Sequence, residues 1–238
     1  MPKTSFEYRI RESARARHVR LRVTLEHGLE IVVPKGWVVR DIPAMLERKR
    51  DWIRAALESR AFDRARFEHE RHWQMPAQIE LPALASTWEL QARATAARGA
   101  TVRPVAPTRL EISGAIADER ACRAALGRWL TRQAHDYLVP RLQRLAQQTK
   151  LRYRRVSIRR QKTRWASCSR GGTISLNARL LFLPPDTVDC VLIHELCHLV
   201  ELNHSPRFWR LVERHCPDYR RHDVRLRETG KTLPVWAR

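Results

Sequence analysis

The stretch that most constrains this chain is residues 183–209, LPPDTVDCVLIHELCHLVELNHSPRFW. Pro184 and Pro185 suit a helix start, and Asp186 and Asp189 complement the positive end of the dipole that follows. The helix predicted from there carries His194, Glu195 and His198. Residues four apart on a helix stand about 40° apart around its axis, so His194 and His198 leave one face, one turn apart. Two ligands of a single metal ion require that geometry, and this is the H-E-x-x-H arrangement. Glu195 lies roughly 80° from the centre of the pair. It diverges too far to be an obvious ligand, yet it can reach a metal-bound water and take its proton. His204, six residues after His198, is the expected third ligand. Asn203 is expected to take the left-handed conformation that ends a helix and to swing His204 back toward the site. Ser205 and Pro206 predict the cap and first turn of a second helix, with Phe208 and Trp209 in the core.

Three protein ligands and one open position are the usual arrangement of catalytic zinc. Cys197 is the rival: it flanks the metal face opposite Glu195, and a fourth, thiolate ligand would close the shell and make the metal structural. Because Cys197 shares its turn with two ligands, it converges poorly with them. Glu201 reads as a solvent-facing residue. The five cysteines, Cys122, Cys168, Cys190, Cys197 and Cys216, are odd in number and irregularly spaced. They read as reduced thiols and not as a disulfide framework. Cys168 reads as a buried small residue.

The remaining sequence alternates between strand and helix signals. Residues 6–33 have the period of strands, with a turn at 26–28 that predicts a hairpin. Apolar residues recur at helical spacing over 39–59, and 60–76 reads as a polar, arginine-rich linker. Strands are expected within 77–95 and 108–113, with loops between them. A helix spans 117–148, with Pro140 kinking or interrupting it. Strands follow at 154–160 and at TISLN, residues 173–177. An extended peptide would pair with TISLN if that strand lies at a sheet edge; otherwise it is an internal strand without a substrate role. The expected fold class is α+β, with a β-rich N-terminal part, residues 1–116, and a helix-led C-terminal part, residues 117–238. No apolar signal core opens the chain and no run of eighteen apolar residues offers a membrane span. A cytoplasmic protein without membrane partners is expected, and oligomeric state is not readable.

The formal net charge is +21. It favours phosphate-bearing or acidic partners through long-range attraction, which makes nucleic acid a candidate partner. Only six of the 46 basic residues are lysine, so the arginine bias also fits a base-composition effect. The charge is spread along the chain and does not form one basic arm.

A resemblance follows from KTRWASCS at 162–169, GTISLNARL at 172–180, the segment 183–209 and CPDYRR at 216–221. These are similar to the YgjP-like metallopeptidase family, which is related to the SprT and WLM groups of zinc proteases. A looser likeness runs through the N-terminal hairpin and LERKRDWI. The resemblance implies a minimal gluzincin-like zincin domain, with its H-E-x-x-H helix against a small sheet. One continuous domain from about residue 15 to 225 is then the alternative to the two-part division. It also implies zinc held by His194, His198 and His204, with Glu195 as general base in the hydrolysis of protein or peptide substrates. SprT and WLM relatives act on DNA-bound proteins, which by analogy implies substrates associated with nucleic acid. Ala166 stands where family members usually have Gly, and Glu201 stands where a metzincin needs Gly. Arg164, Tyr219, Arg220 and Arg221 are candidates for a second oxyanion donor. Two other readings stay open. One is a metal-dependent hydrolase of nucleotide phosphoanhydrides, against which stands the lack of a P-loop and of a carboxylate cluster for Mg²⁺. The other is a non-catalytic nucleic-acid-binding protein with structural zinc.

Overall fold

The computed structural model describes residues 6–14, 16–24, 28–37, 42–58, 73–161 and 163–237. They fall in two compact units, within Met1–Trp73 and Gln74–Arg238.

In the first unit β1 (Tyr8–Ser13), β2 (Arg20–Thr24) and β3 (Gly28–Pro34) form a sheet with β3 in the middle. The hairpin partner β2 runs antiparallel to β3, and β1 runs parallel to it. Leu29, Ile31 and Val33 of β3 form one core with Ile42, Leu46 and Ile53. The helix expected over 39–59 comes as two runs, α1 (Ile42–Arg48) and α2 (residues 50–58). They meet at Lys49, whose N–H is shared between the carbonyls of Met45 and Leu46, 3.2 Å from each. The expected turn at 26–28 and the linker at 60–76 fall largely outside the described residues.

The second unit begins with β4 (Gln78–Leu81), β5 (Ser86–Ala94), β6 (Ala100–Ala106) and β7 (Arg109–Gly114), in the order β4-β5-β7-β6. The segment of β6 reads as loop in the sequence because it contains Pro104. It is an edge strand with an irregular register between Pro104 and Ala106, the setting in which a strand tolerates a missing N–H. At the end of β7, Gly114 has φ +121°, and a Cβ there would lie 2.0 Å from the Gly99 carbonyl oxygen.

Helix α3 (Glu119–Thr149) crosses this sheet. Asp118 caps it by accepting from the Ala121 N–H at 3.1 Å. Arg128 and Arg132 donate to the carbonyls of Ala100 and Val102 in β6, at 2.8 and 3.2 Å. Trp129 meets Trp88 of β5 edge to face at 5.8 Å. Pro140 lies inside α3 without interrupting it. Pro140 and Asp136, whose carbonyl loses its helical donor, are both exposed, so solvent can satisfy that carbonyl.

The third sheet has the order β8-β10-β9, with β8 (Arg155–Arg159), β9 (Ala166–Cys168) and β10 (Thr173–Asn177). β10 is thus the central strand, parallel to β8 and antiparallel to β9, and the free edges are β8 and β9. Ile174 and Leu176 of β10 are fully buried. Three helices complete the unit: α4 (Pro185–Cys197), α5 (Pro206–His215) and α6 (Tyr219–Thr232). Arg141 of α3 grips Asp189 of α4 through two bonds, one of them 2.8 Å from Nη2 to Oδ2, so the acid at the helix start is also a tertiary tie. The architecture is mixed α+β. Among the described residues no helix is long and apolar enough to cross a membrane.

Candidate metal centre

Helix α4 starts on Pro185 and ends at Cys197, with His198 as its C-terminal cap. The chain then reverses. Val200 N–H and Glu201 N–H both donate to the Cys197 carbonyl at 3.1 Å, and Ser205 N–H donates to the Asn203 carbonyl at 2.7 Å. Ser205 caps α5 as expected, its Oγ accepting from the Phe208 N–H at 3.3 Å. Asn203 does not take the left-handed conformation. Among the described non-glycine residues only Ala85 and Lys150 have positive φ. The reversal is made by backbone bonds onto the last helical carbonyl.

This turn brings the three histidines together. Ligand nitrogens of His194, His198 and His204 all lie within 4.8 Å of one another. Nε2 of His194 and Nε2 of His204 are 3.1 Å apart. Two nitrogens bonded tetrahedrally to zinc at about 2.05 Å stand about 3.3 Å apart, so the pair is nearly at ligand spacing. His198 is turned by its Nδ1–H, which donates to the Glu201 carbonyl at 3.0 Å. A carbonyl can only accept, so Nδ1 carries the proton and Nε2 keeps its lone pair. Phe208 stacks on His198 with centroids 4.4 Å apart, and Trp209 stacks on His204 at 5.5 Å. Phe208 is fully buried, as expected of a core residue, whereas Trp209 is half-buried and also stacks on Tyr219 at 5.1 Å. Cys197 is fully buried and outside the cluster, so a closed shell of three histidines and a cysteine is not assembled.

Burial sets the protonation of the site. It pushes His194 down to about 4, with His198 and His204 adding to the shift. His198 is also held below its ordinary value, chiefly by burial. Both rings are therefore neutral near pH 7, the form that binds a metal. Glu195 is 6% exposed, and burial pushes its carboxyl up to about 7 against a smaller opposing pull from Arg164. Its Oε2 is buried without a hydrogen-bond partner. An orphaned carboxylate oxygen beside three convergent imidazoles is costly to maintain, and such costs concentrate at functional sites.

Glu195 and His194 open onto a cavity of about 370 Å³ walled by Trp165, Ala166, Val191, Trp209, Tyr219 and Leu226. Of the four oxyanion candidates, Arg164, Tyr219 and Arg220 line this cavity and Arg221 does not. Arg220 Nε donates to the Tyr219 hydroxyl at 3.1 Å. Arg164 sits on a loop held by a residue that the sequence reading passes over. Asn177, 1% exposed at the end of β10, donates from Nδ2 to the carbonyls of Gln161 and Arg164, both at 2.7 Å. Its Oδ1 accepts from the Arg179 N–H at 3.1 Å, and its own N–H donates to the Trp165 carbonyl at 2.9 Å. The only sequence signal for this clamp is an asparagine closing an apolar strand. Cys168 is half-buried, and its thiol is pushed up to about 11 by burial and by Glu195, so it stays protonated and unreactive.

The profile of the family described as "YgjP-like, metallopeptidase domain" matches residues 17–229. The chain belongs to the YgjP-like metallopeptidase family. As a member it is a metallopeptidase, a hydrolase of protein or peptide substrates, and the three-histidine cluster is compatible with the catalytic metal that the family implies. One similar solved structure is the metallopeptidase zymogen of Pyrococcus abyssi abylysin, at 30% identity and a TM-score of 0.36. The match covers 39% of this chain and 93% of that one. No curated protein matches the sequence.

Proposed function

We propose that this YgjP-like protein is a zinc-dependent metallopeptidase in which His194, His198 and His204 hold the metal and Glu195 is the general base. The observation that carries the reading is the meeting of three imidazoles, with no fourth protein ligand among the described residues, beside the partnerless Oε2 of Glu195. The fold we assign is a minimal gluzincin-like one, with α4 against the sheet β8-β10-β9. Zinc, when bound, supplies a Lewis acid that acidifies water and polarises a carbonyl.

Glu195 takes the proton of the attacking water and hands it to the leaving amine. A carboxyl held near 7 is suited to both transfers at neutral pH. Arg164, presented by the Asn177 clamp, is the cation best placed to meet negative charge developing at the cleft. The substrate strand would pair with the free edge of β9, since β10 is internal. Five free thiols fit a cytoplasmic setting.

The test is hydrolysis of casein or a peptide mixture by the zinc-loaded protein, compared with Glu195→Gln at equal metal content. Activity should fall by roughly 10²–10⁴-fold, the range of a lost general base. Equal activity in the two proteins overturns the role of Glu195. Pyrophosphate release from nucleoside triphosphates would instead favour the phosphoanhydride reading.

A further inference from the structure

Between Asp136 and Asp186 the sequence has twelve arginines and lysines and no acidic residue. Two of the twelve are spoken for: Arg141 pairs with Asp189, and Arg179 donates to the Ala237 carbonyl. Arg152, Arg154, Arg155, Arg159 and Arg170 are exposed and form no ion pair with a carboxylate among the described residues, whereas Arg164 faces Glu195. The preceding sheet shows the contrast. There Arg93 and Arg103 both pair with Glu111, and Arg109 pairs with Glu89.

Two of the unpaired arginines, Arg155 and Arg159, lie on the edge strand β8, and Arg154 and Arg170 flank the strands of the sheet β8-β10-β9. Strand alternation puts Arg155, Ser157 and Arg159 on one face of β8, and the register sets Thr173 and Ser175 of β10 and Ser167 of β9 beside them. A 3.2 Å contact between the hydroxyls of Ser157 and Ser175 shows that the two strands share this face. Val156, Ile158, Ile174 and Leu176 form the opposite, apolar face, where Ile174 and Leu176 are fully buried. One face therefore displays arginine forks at an open strand edge and hydroxyl donors behind them, with no carboxylate.

We propose that this face, led by the β8 edge, binds the phosphate backbone of a nucleic acid. Guanidinium groups grip phosphate oxygens with two parallel bonds, and hydroxyls are common further donors to the backbone. A membrane surface fits less well. Anchoring to lipid usually adds apolar side chains to basic ones. The exposed large apolar residues, Val200 and Leu202 among them, include none from this sheet. Neighbouring strands are about 4.8 Å apart, so β8 lies about 10 Å from β9. β9 begins with Ala166, which lines the cavity at Glu195. By register Ala166 belongs with Leu176 to the apolar face. A nucleic acid on the arginine face would therefore lie across the sheet from the cleft, two strands away, and hold proteins bound to it near the peptidase site. That last consequence rests on the peptidase reading; the binding itself does not.

The experiment is fluorescence anisotropy of a labelled 20-nucleotide single strand and a 20-base-pair duplex, titrated with the full chain between 50 and 200 mM salt. Vesicles of phosphatidylserine and phosphatidylcholine serve as the competing polyanion. Arg155→Glu/Arg159→Glu should weaken nucleic-acid binding about tenfold or more and flatten the log–log salt slope by about 2. Arg207→Glu/Arg214→Glu, the same charge change on two exposed residues of α5, should cost less than about threefold. Unchanged circular dichroism and melting temperature are required of both variants. Equal losses in the two variants overturn the proposal, because the attraction is then diffuse. Binding to vesicles but not to nucleic acid overturns it, as does no binding at all. Failure in this assay leaves zinc-dependent cleavage of free peptides untouched, so the two readings fail separately.

Discussion

His198 donates its Nδ1 proton to the backbone carbonyl of Glu201, 3.0 Å away. Glu201 thus serves the site through its main chain. Its N–H also closes the turn by donating to the Cys197 carbonyl at 3.1 Å. The ring is locked in the tautomer that leaves Nε2 free, and the reversal that delivers His204 passes through the same residue.

Metal affinity should therefore be indifferent to the Glu201 side chain and sensitive to its backbone. Competition with a chelator should give Glu201→Ala an affinity within about threefold of the parent. Glu201→Pro, which cannot donate to Cys197, should lose roughly 10–100-fold, the usual scale for a disturbed ligand orientation. Equal losses in both variants would show that the carboxylate matters instead.

Stability should depend on pH through Glu195. In the metal-free fold its carboxyl titrates at about 7 against an ordinary value of 4.5. Folding therefore favours the neutral acid, and that stabilisation is whole below pH 4.5 and lost as the pH rises through 7. His194, held at about 4 against 6.5, works the other way: its contribution is present above 6.5 and lost as the pH falls toward 4. Comparing Glu195→Gln with the parent removes the histidine contribution. In urea denaturation of the metal-free proteins, Glu195→Gln should gain on the parent by up to about 3 kcal/mol between pH 4.5 and pH 8. A constant difference across that range would rule out a buried, high-pKa carboxyl.

Asn177 should behave as the clamp of the cleft loop. Asn177→Ala leaves the carbonyls of Gln161 and Arg164 without their donor and should cost about 2–4 kcal/mol in denaturant unfolding. Asn177→Asp keeps the acceptor to Arg179 but turns an oxygen toward two carbonyls, so it should be no better than Ala. Limited proteolysis should cut beside Arg164 in both variants before the rest of the second unit. A parent-like midpoint for Asn177→Ala would show that the loop holds without the clamp.

Two glycines should differ sharply on substitution by alanine. At Gly114 the new Cβ would meet a backbone oxygen at 2.0 Å with φ at +121°, and neither can yield cheaply. The expected cost in thermal or denaturant unfolding is on the order of 3 kcal/mol. At Gly127, inside α3, the Cβ would fall 1.9 Å from the Arg160 guanidinium, which is the free end of a flexible side chain. Alanine gains about 1 kcal/mol of helix propensity there, so the net change should stay within about 1 kcal/mol.

The placement of His194, Glu195 and His198 was legible from the sequence because an α-helix has a local, invariant period. Three positions on one turn settle their own angles whatever packs around them. The Ser205–Pro206 helix start was equally local. The strand order was not legible, since ladder partners are chosen between segments far apart. The alternation of TISLN leaves an edge strand and an internal one equally open, and the structure places it between two neighbours, with β9 as the free edge beside Glu195. Pro140 illustrates the same limit, because whether it breaks α3 depends on whether the orphaned carbonyl of Asp136 faces solvent. The sequence by itself determined which side chains could meet a metal and that a carboxylate stands near them. The tertiary structure decided how that carboxylate titrates, which carbonyl orients His198, and which arginines go unpaired. Those properties come from burial and from contacts between remote segments, which no local pattern encodes.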